Sequence, residues 1–215
     1  TDVTYDKYFI PKNKIINKNP SHDVVYNKKA QREVYLYASK IMKKYKLNDV
    51  VDIGCGIGWK LINYLGKFNT IGIECEPAFS KLKNMYPNNK WLESGKSEHF
   101  FNYENTFKTD LIICVDVVEH ILDPNILLNY INKFDFKYLI ISTPCRDIMT
   151  NHDRFVTGRS KKYRRNNIGP SPNECHVREW TFAEFKKYLS KYFEIKESFL
   201  GKKQIRINGK TYEAL

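Results

Sequence analysis

The run Val50-Val51-Asp52-Ile53-Gly54-Cys55-Gly56-Ile57-Gly58 limits what this chain can become more than any other stretch. Val50, Val51 and Ile53 read as a buried strand, and three glycines spaced G-x-G-x-G end it before a helical stretch that starts at Trp59. Glycines in that place permit a tight turn and let a ligand approach backbone N–H groups at a helix start. Glu74 closes the next apolar run, where a carboxylate accepts hydrogen bonds from a ribose diol. Strand, glycine turn, helix and acidic strand end, in that order, demand a parallel sheet, because parallel strands need a crossover.

The rest of the chain follows that demand. Apolar runs at Asp49–Ile53, Thr70–Ile73, Trp91–Leu92, Leu111–Val115 and Tyr138–Ile141 alternate with helical stretches. Those helices fall at Trp59–Gly66, Ala78–Met85, Ile126–Phe134 and Phe182–Tyr192, with Glu33–Tyr45 in front. The leading helix has Val34, Tyr37, Ala38, Ile41 and Met42 on one face. Alternation at this pitch predicts an α/β fold with a mostly parallel sheet covered on both faces. Glu194–Leu200 and Lys203–Ile207 read as strands, with Asn208-Gly209 as a hairpin signal. A single domain over residues 1–215 is the expected organisation. It comprises an N-terminal arm and helix (1–45), a ligand-binding core (46–143), a long polar loop (144–180), and a C-terminal helix with strands (181–215).

Charge adds one local fact. Lys+Arg number 36 against 24 Asp+Glu, a formal net charge of +12. Lys outnumbers Arg, 28 to 8, and there are 20 Asn, so much of the excess is Lys/Asn composition rather than a phosphate-gripping surface. The Arg are nevertheless concentrated. Six of the eight lie between Arg146 and Arg178, and the seven residues Arg159–Arg165 include five basic ones. This segment, with Arg146, Arg154, Arg159, Arg164, Arg165 and Arg178, is expected to grip an anionic substrate. No apolar run approaches the ~20 residues of a membrane span. Lys12, Lys14 and Lys18 interrupt any leader-like stretch, and the chain starts at Thr1 rather than Met, as a trimmed chain or a fragment would. Five cysteines without a C-x-x-C pair point to free thiols in a reducing, cytoplasmic compartment.

A dinucleotide-binding turn shares the strand–glycine–helix layout, but position 59 is Trp where that pattern needs a third spaced glycine. Asp52 also sits poorly beside a pyrophosphate and suits a cofactor with a cationic amine. The pattern Asp52-Ile53-Gly54-Cys55-Gly56-Ile57-Gly58 resembles motif I of class I S-adenosylmethionine-dependent methyltransferases. The resemblance continues through Ile73-Glu74 and the fourth strand Asp110–Asp116, covering roughly residues 45–145. It implies a Rossmann-like fold with a seven-stranded sheet and an antiparallel C-terminal hairpin. It implies S-adenosylmethionine as cofactor, held by Asp52, Gly54, Cys55, Gly56, Gly58, Glu74, Asp116 and Val117. The acidic residue often found near the adenine after strand three is not evident in Leu92-Glu93-Ser94-Gly95-Lys96-Ser97.

After strand four the chain reads Asp116-Val117-Val118-Glu119-His120. One helical turn would place Asp116, Glu119 and His120 on a common face. With the distant His176 they form a mixed O/N set suited to Mg²⁺ or, more readily, Mn²⁺. The arrangement resembles the E-x-x-E-H motif of ubiquinone-biosynthesis O-methyltransferases and of small-RNA 3′-terminal 2′-O-methyltransferases, with Asp116 in place of the first Glu. The segment His176-Val177-Arg178-Glu179-Trp180-Thr181 is similar to one in the small-RNA group and to one in methyltransferases of bacterial surface-glycan pathways. The resemblance implies transfer to one hydroxyl of a vicinal pair, with His176 or His120 as catalytic base where no metal acts. An O-methyltransferase acting on a sugar or a phosphate- or nucleotide-linked sugar is the expected function. An RNA ribose 2′-O-methyltransferase and a non-catalytic methyltransferase-like subunit are the alternatives. The oligomeric state is not legible.

Overall fold

The computed structural model describes residues 31–95, 104, 106–121, 123–145, 176, 178–201, 203–207 and 210–214, the last two stretches by backbone alone. The chain divides into two compact units, Asn19–Ser142 and a second of Thr1–Lys18 with Thr143–Leu215.

In the first unit, α1 (Arg32–Lys44) precedes β1 (Asp49–Ile53), a short π-helical segment (Leu61–Leu65), β2 (Asn69–Glu74) and α2 (Ala78–Met85). Then come β3 (Lys90–Glu93), β4 (Lys108–Val115), α3 (Pro124–Ile131) and β5 (Asp135–Ser142). The strands form one sheet in the order β3-β2-β1-β4-β5, every neighbouring pair parallel. From β1 the chain winds to β2 and β3 on one side, and from β4 to β5 on the other. β1 and β4 are therefore the switch point, where the crevice beyond the strands' carboxyl ends takes a ligand.

Burial explains the strands. β1 and β4 are buried at consecutive residues, so both faces of their part of the sheet are covered. On one face Tyr35, Ala38 and Met42 of α1 meet Val50, Leu61, Leu65, Leu111, Ile113 and Val115. The buried residues of α1 are Tyr35, Ala38, Ser39 and Met42, and Val34 and Ile41 of the expected face pack partly buried against the same core. The expected helix at Trp59–Gly66 is instead π-helical over Leu61–Leu65, a form frequent beside functional sites. α3 starts two residues before its expected position, because Asp123 caps it by accepting from the Asn125 N–H at 3.0 Å, with Pro124 at the first turn.

In the second unit, Cys145 and Trp180 make a parallel bridge, and α4 (Phe182–Leu189) follows. Thr181 and Glu184 close a reciprocal capping box on α4. β6 (Lys203–Ile207) and β7 (Lys210–Ala214) pair antiparallel with Lys203 opposite Ala214. The hairpin is thus present, as a two-stranded ladder of its own, while the parallel sheet has five strands among the described residues. Glu194–Leu200 is irregular rather than a strand. Phe199 and Leu200 are exposed there, and no ladder partner is described for the segment. Among the described residues no helix is long and apolar enough to cross a membrane.

Candidate active site

Asp52 is fully buried on β1, on the face covered by α1. Its Oδ2 accepts from the Tyr35 hydroxyl at 2.8 Å, whereas Oδ1 has no hydrogen-bond partner among the described residues. Burial raises the Asp52 carboxyl to a pKa of about 7, against the stabilising hydrogen bond from Tyr35. Tyr35 is itself pushed well above its ordinary value by burial and by the adjacent carboxylate.

Beyond β1 the glycine turn uses the left-handed region at Gly54 and Gly56, φ 78° and 57°. A Cβ on Gly54 would stand 2.2 Å from Val117 Cγ2, so the turn after β1 and the residue following Asp116 are in close contact. Gly56 faces open space, with nothing within 4 Å of an added Cβ. Its N–H donates to Glu74 Oε2 at 2.7 Å, and the Cys75 N–H donates to Glu74 Oε1 at 2.9 Å. Glu74 therefore ties the turn to the end of β2. Cys55 is buried, and burial raises its thiol well above the ordinary value, so it packs rather than reacts.

Asp116 also lies in the left-handed region, φ 55°, with its Oδ1 accepting from Ser142 Oγ at 2.7 Å. This corrects the expected helical face. The His120 N–H closes a turn onto Val117 O at 2.9 Å, but Asp116 lies outside that turn, and its carboxylate is bonded to Ser142 on β5. Glu119 is fully buried and its Oε1 lies 3.9 Å from Nε2 of the half-buried His120.

In the second unit, His176 Nδ1 and Glu179 Oε1 are 2.6 Å apart, both residues buried. An ionised carboxylate accepts, so Nδ1 carries the proton and Nε2 is the unprotonated nitrogen of the neutral ring. Arg178 is buried, with its guanidinium 5.5 Å from the Trp180 ring centroid, and Trp180 stacks on Tyr188. Arg146, Arg154, Arg159, Arg164 and Arg165 lie outside the described residues.

The residues fit the expected cofactor. Open space at Gly56, the Glu74 carboxylate at the end of β2 and an Asp52 Oδ1 with no partner among the described residues suit a ligand with a diol and a cationic amine. Sequence reasoning missed Tyr35 and Ser142. The 3- and 4-residue spacing of Tyr35, Ala38 and Met42 was a usable signal for the first. Nothing local marked Ser142, whose role comes from its register opposite Val115.

A family profile described as "Methyltransferase domain" matches residues 26–193. The mitochondrial ubiquinone biosynthesis O-methyltransferase of Dictyostelium discoideum is 27% identical over 99 residues, 40% of this chain and 31% of that protein. The chain thus spans about a third of that relative's length. Among solved structures, the methyltransferase domain of bacterial-CtHen1-C aligns with a TM-score of 0.53 at 19% identity, covering 75% of this chain and 84% of that one. The plantazolicin methyltransferase BpumL, in complex with a triazolic desmethylPZN analog and SAH, aligns with a TM-score of 0.51 at 17% identity. That alignment covers 80% of this chain and 66% of that one. Matched by that profile over most of its length, the chain belongs to the methyltransferase domain family and has the fold of class I S-adenosylmethionine-dependent methyltransferases.

Proposed function

We propose that the chain methylates a hydroxyl of an anionic sugar, phosphate- or nucleotide-linked, with His176 taking the hydroxyl proton at Nε2. The observation that carries this reading is the buried His176–Glu179 pair, which leaves Nε2 as the basic nitrogen. The Arg-rich segment 146–165 supports an anionic acceptor, and the name of the Dictyostelium discoideum relative supports oxygen as the acceptor atom. S-adenosylmethionine supplies the methyl carbon on a sulfonium. The displacement is in line, so much of what the residues contribute is positioning. The free thiols of Cys55, Cys75, Cys114 and Cys145 support a reducing, cytoplasmic setting.

A second reading adds a divalent ion held by Glu119 and His120. It is favoured by the complete burial of the Glu119 carboxylate beside His120. Such an ion would lower the pKa of the attacking hydroxyl and chelate a vicinal diol. Asp116 stays with the cofactor loop here, since one of its oxygens is already bonded to Ser142.

The test is methyl transfer to a panel of sugar phosphates, nucleotide sugars and RNA oligonucleotides ending in a ribose diol, read by product mass. His176→Asn is expected to lower kcat by roughly 100-fold or more with cofactor affinity unchanged. Unaltered turnover in that variant removes His176 from catalysis. Loss of activity in chelator, restored by Mn²⁺, selects the metal reading, and full activity in chelator eliminates it. Methylation of the oligonucleotide alone replaces the sugar with an RNA ribose.

A further inference from the structure

Lys60 follows the glycine turn by two residues, and sequence reasoning assigned it nothing. Its Nζ donates to Gln31 Oε1 at 2.7 Å, a neutral amide, and lies 6.0 Å from the centre of the Tyr35 ring. The Tyr35 hydroxyl in turn donates to Asp52. The ammonium is thus fixed beside the Tyr35–Asp52 pair without contacting the carboxylate. Among the described residues Lys60 makes no ion pair within 4.0 Å. A half-buried ammonium with only an amide partner is costly, and burial lowers the Lys60 pKa from its ordinary value while Asp52 and Asp116 oppose that fall.

The amino-acid end of the cofactor is a zwitterion, an ammonium and a carboxylate on one carbon. Among the described residues the site offers the matching pair, a carboxylate oxygen on Asp52 without a hydrogen-bond partner and an ammonium on Lys60 without a counter-anion. We infer that Lys60, positioned by Gln31, binds the α-carboxylate of S-adenosylmethionine, and that Asp52 and Lys60 together select a ligand with an intact amino-acid end. A bidentate fork is not needed, because the Lys headgroup supplies a compact charge with three donors. Gln31 keeps it from collapsing onto Asp52, which would cancel both charges. This role is independent of which acceptor is methylated.

Calorimetric binding of S-adenosylmethionine and of its decarboxylated analogue tests it on the full chain without turnover. In the unaltered protein the decarboxylated compound should bind more weakly. Lys60→Met should weaken S-adenosylmethionine by about 10- to 100-fold, the range for a lost charged hydrogen bond, and leave the analogue within about twofold. Gln31→Ala should give a smaller loss with the same selectivity. Equal weakening of both compounds would make Lys60 a structural charge, and no change in either would remove it from the site. Either result overturns the inference. If Lys60→Met does not fold, Lys60→Gln is read the same way. Failure of the unaltered protein to bind S-adenosylmethionine would instead contradict the cofactor itself.

Discussion

At Asp52 the chain keeps a carboxylate where an apolar residue would pack better, and the effect should be visible in its titration. The folded-state pKa is raised from the model-peptide range to about 7 by burial. The raised value means the protonated form is favoured on folding, so its stabilising contribution is complete below pH ~4 and is lost as pH rises to about 7. Asp52→Asn should therefore gain stability relative to the unaltered protein between pH 4 and 7, by on the order of a few kcal/mol, and hold that gain above. Denaturant melts across pH 4–8 read this directly; a gain independent of pH would exclude Asp52 as its source. A cationic cofactor favours the ionised form, so binding near pH 7 should release a proton. That release appears as a dependence of the calorimetric enthalpy on buffer, and Tyr35→Phe should move it to higher pH by removing a donor to the carboxylate. Asp52 stands out in the sequence because the motif marks it. Its Tyr35 partner does not, because the bond joins a helix and a strand across the core.

Elements differ in how strongly their local sequence specifies them. β1 has its expected bounds, since consecutive apolar residues announce a strand buried on both faces, while β2 extends one residue beyond its expected run at each end and β4 begins three residues before its own, at Lys108. β5 begins at Asp135, three residues before the apolar run, because its first residues are held by ladder pairing such as Lys108 opposite Asp135. Ladder pairing of that kind leaves no mark in either segment alone. Glu194–Leu200 shows the converse, a strand-like composition that joins no ladder and stays irregular. The capping box of α4 is legible in Thr181-x-x-Glu184, and Thr181→Ala should cost about 1 kcal/mol in thermal or denaturant unfolding. A loss below a few tenths would mean that packing of Tyr188 and Leu189 alone holds the helix. The seam between the loop after β1 and the loop after β4 is stricter. Gly54→Ala meets Val117 Cγ2 at 2.2 Å in a left-handed backbone conformation, so it should destabilise by about 1–3 kcal/mol and abolish measurable cofactor binding. The double variant Gly54→Ala, Val117→Ala should recover part of the stability, since the clash is relieved and the backbone strain remains. Full recovery would show that only the clash mattered.

For the whole molecule, the +12 charge acts at long range and the site at short range. If the basic segment serves an anionic acceptor, the acceptor KM should rise steeply between low and high salt while cofactor affinity barely moves, because buried pairs are screened much less. Parallel salt dependence of both would assign the charge to general solubility. The sequence by itself determined the fold class and the glycine turn with its acidic strand end, because strand–helix alternation and backbone conformation are local properties. Only the tertiary structure decided which partners those residues meet. Asp116 went to Ser142 rather than onto a helical face with Glu119 and His120, Lys60 came to lie beside Tyr35, and His176 was oriented by Glu179. The physical reason is that a buried polar atom must find its partner wherever the packed elements bring one. For Asp116 and Lys60 that partner stands on a distant part of the chain, set by the parallel order of β1, β4 and β5 and by the packing of α1 against them.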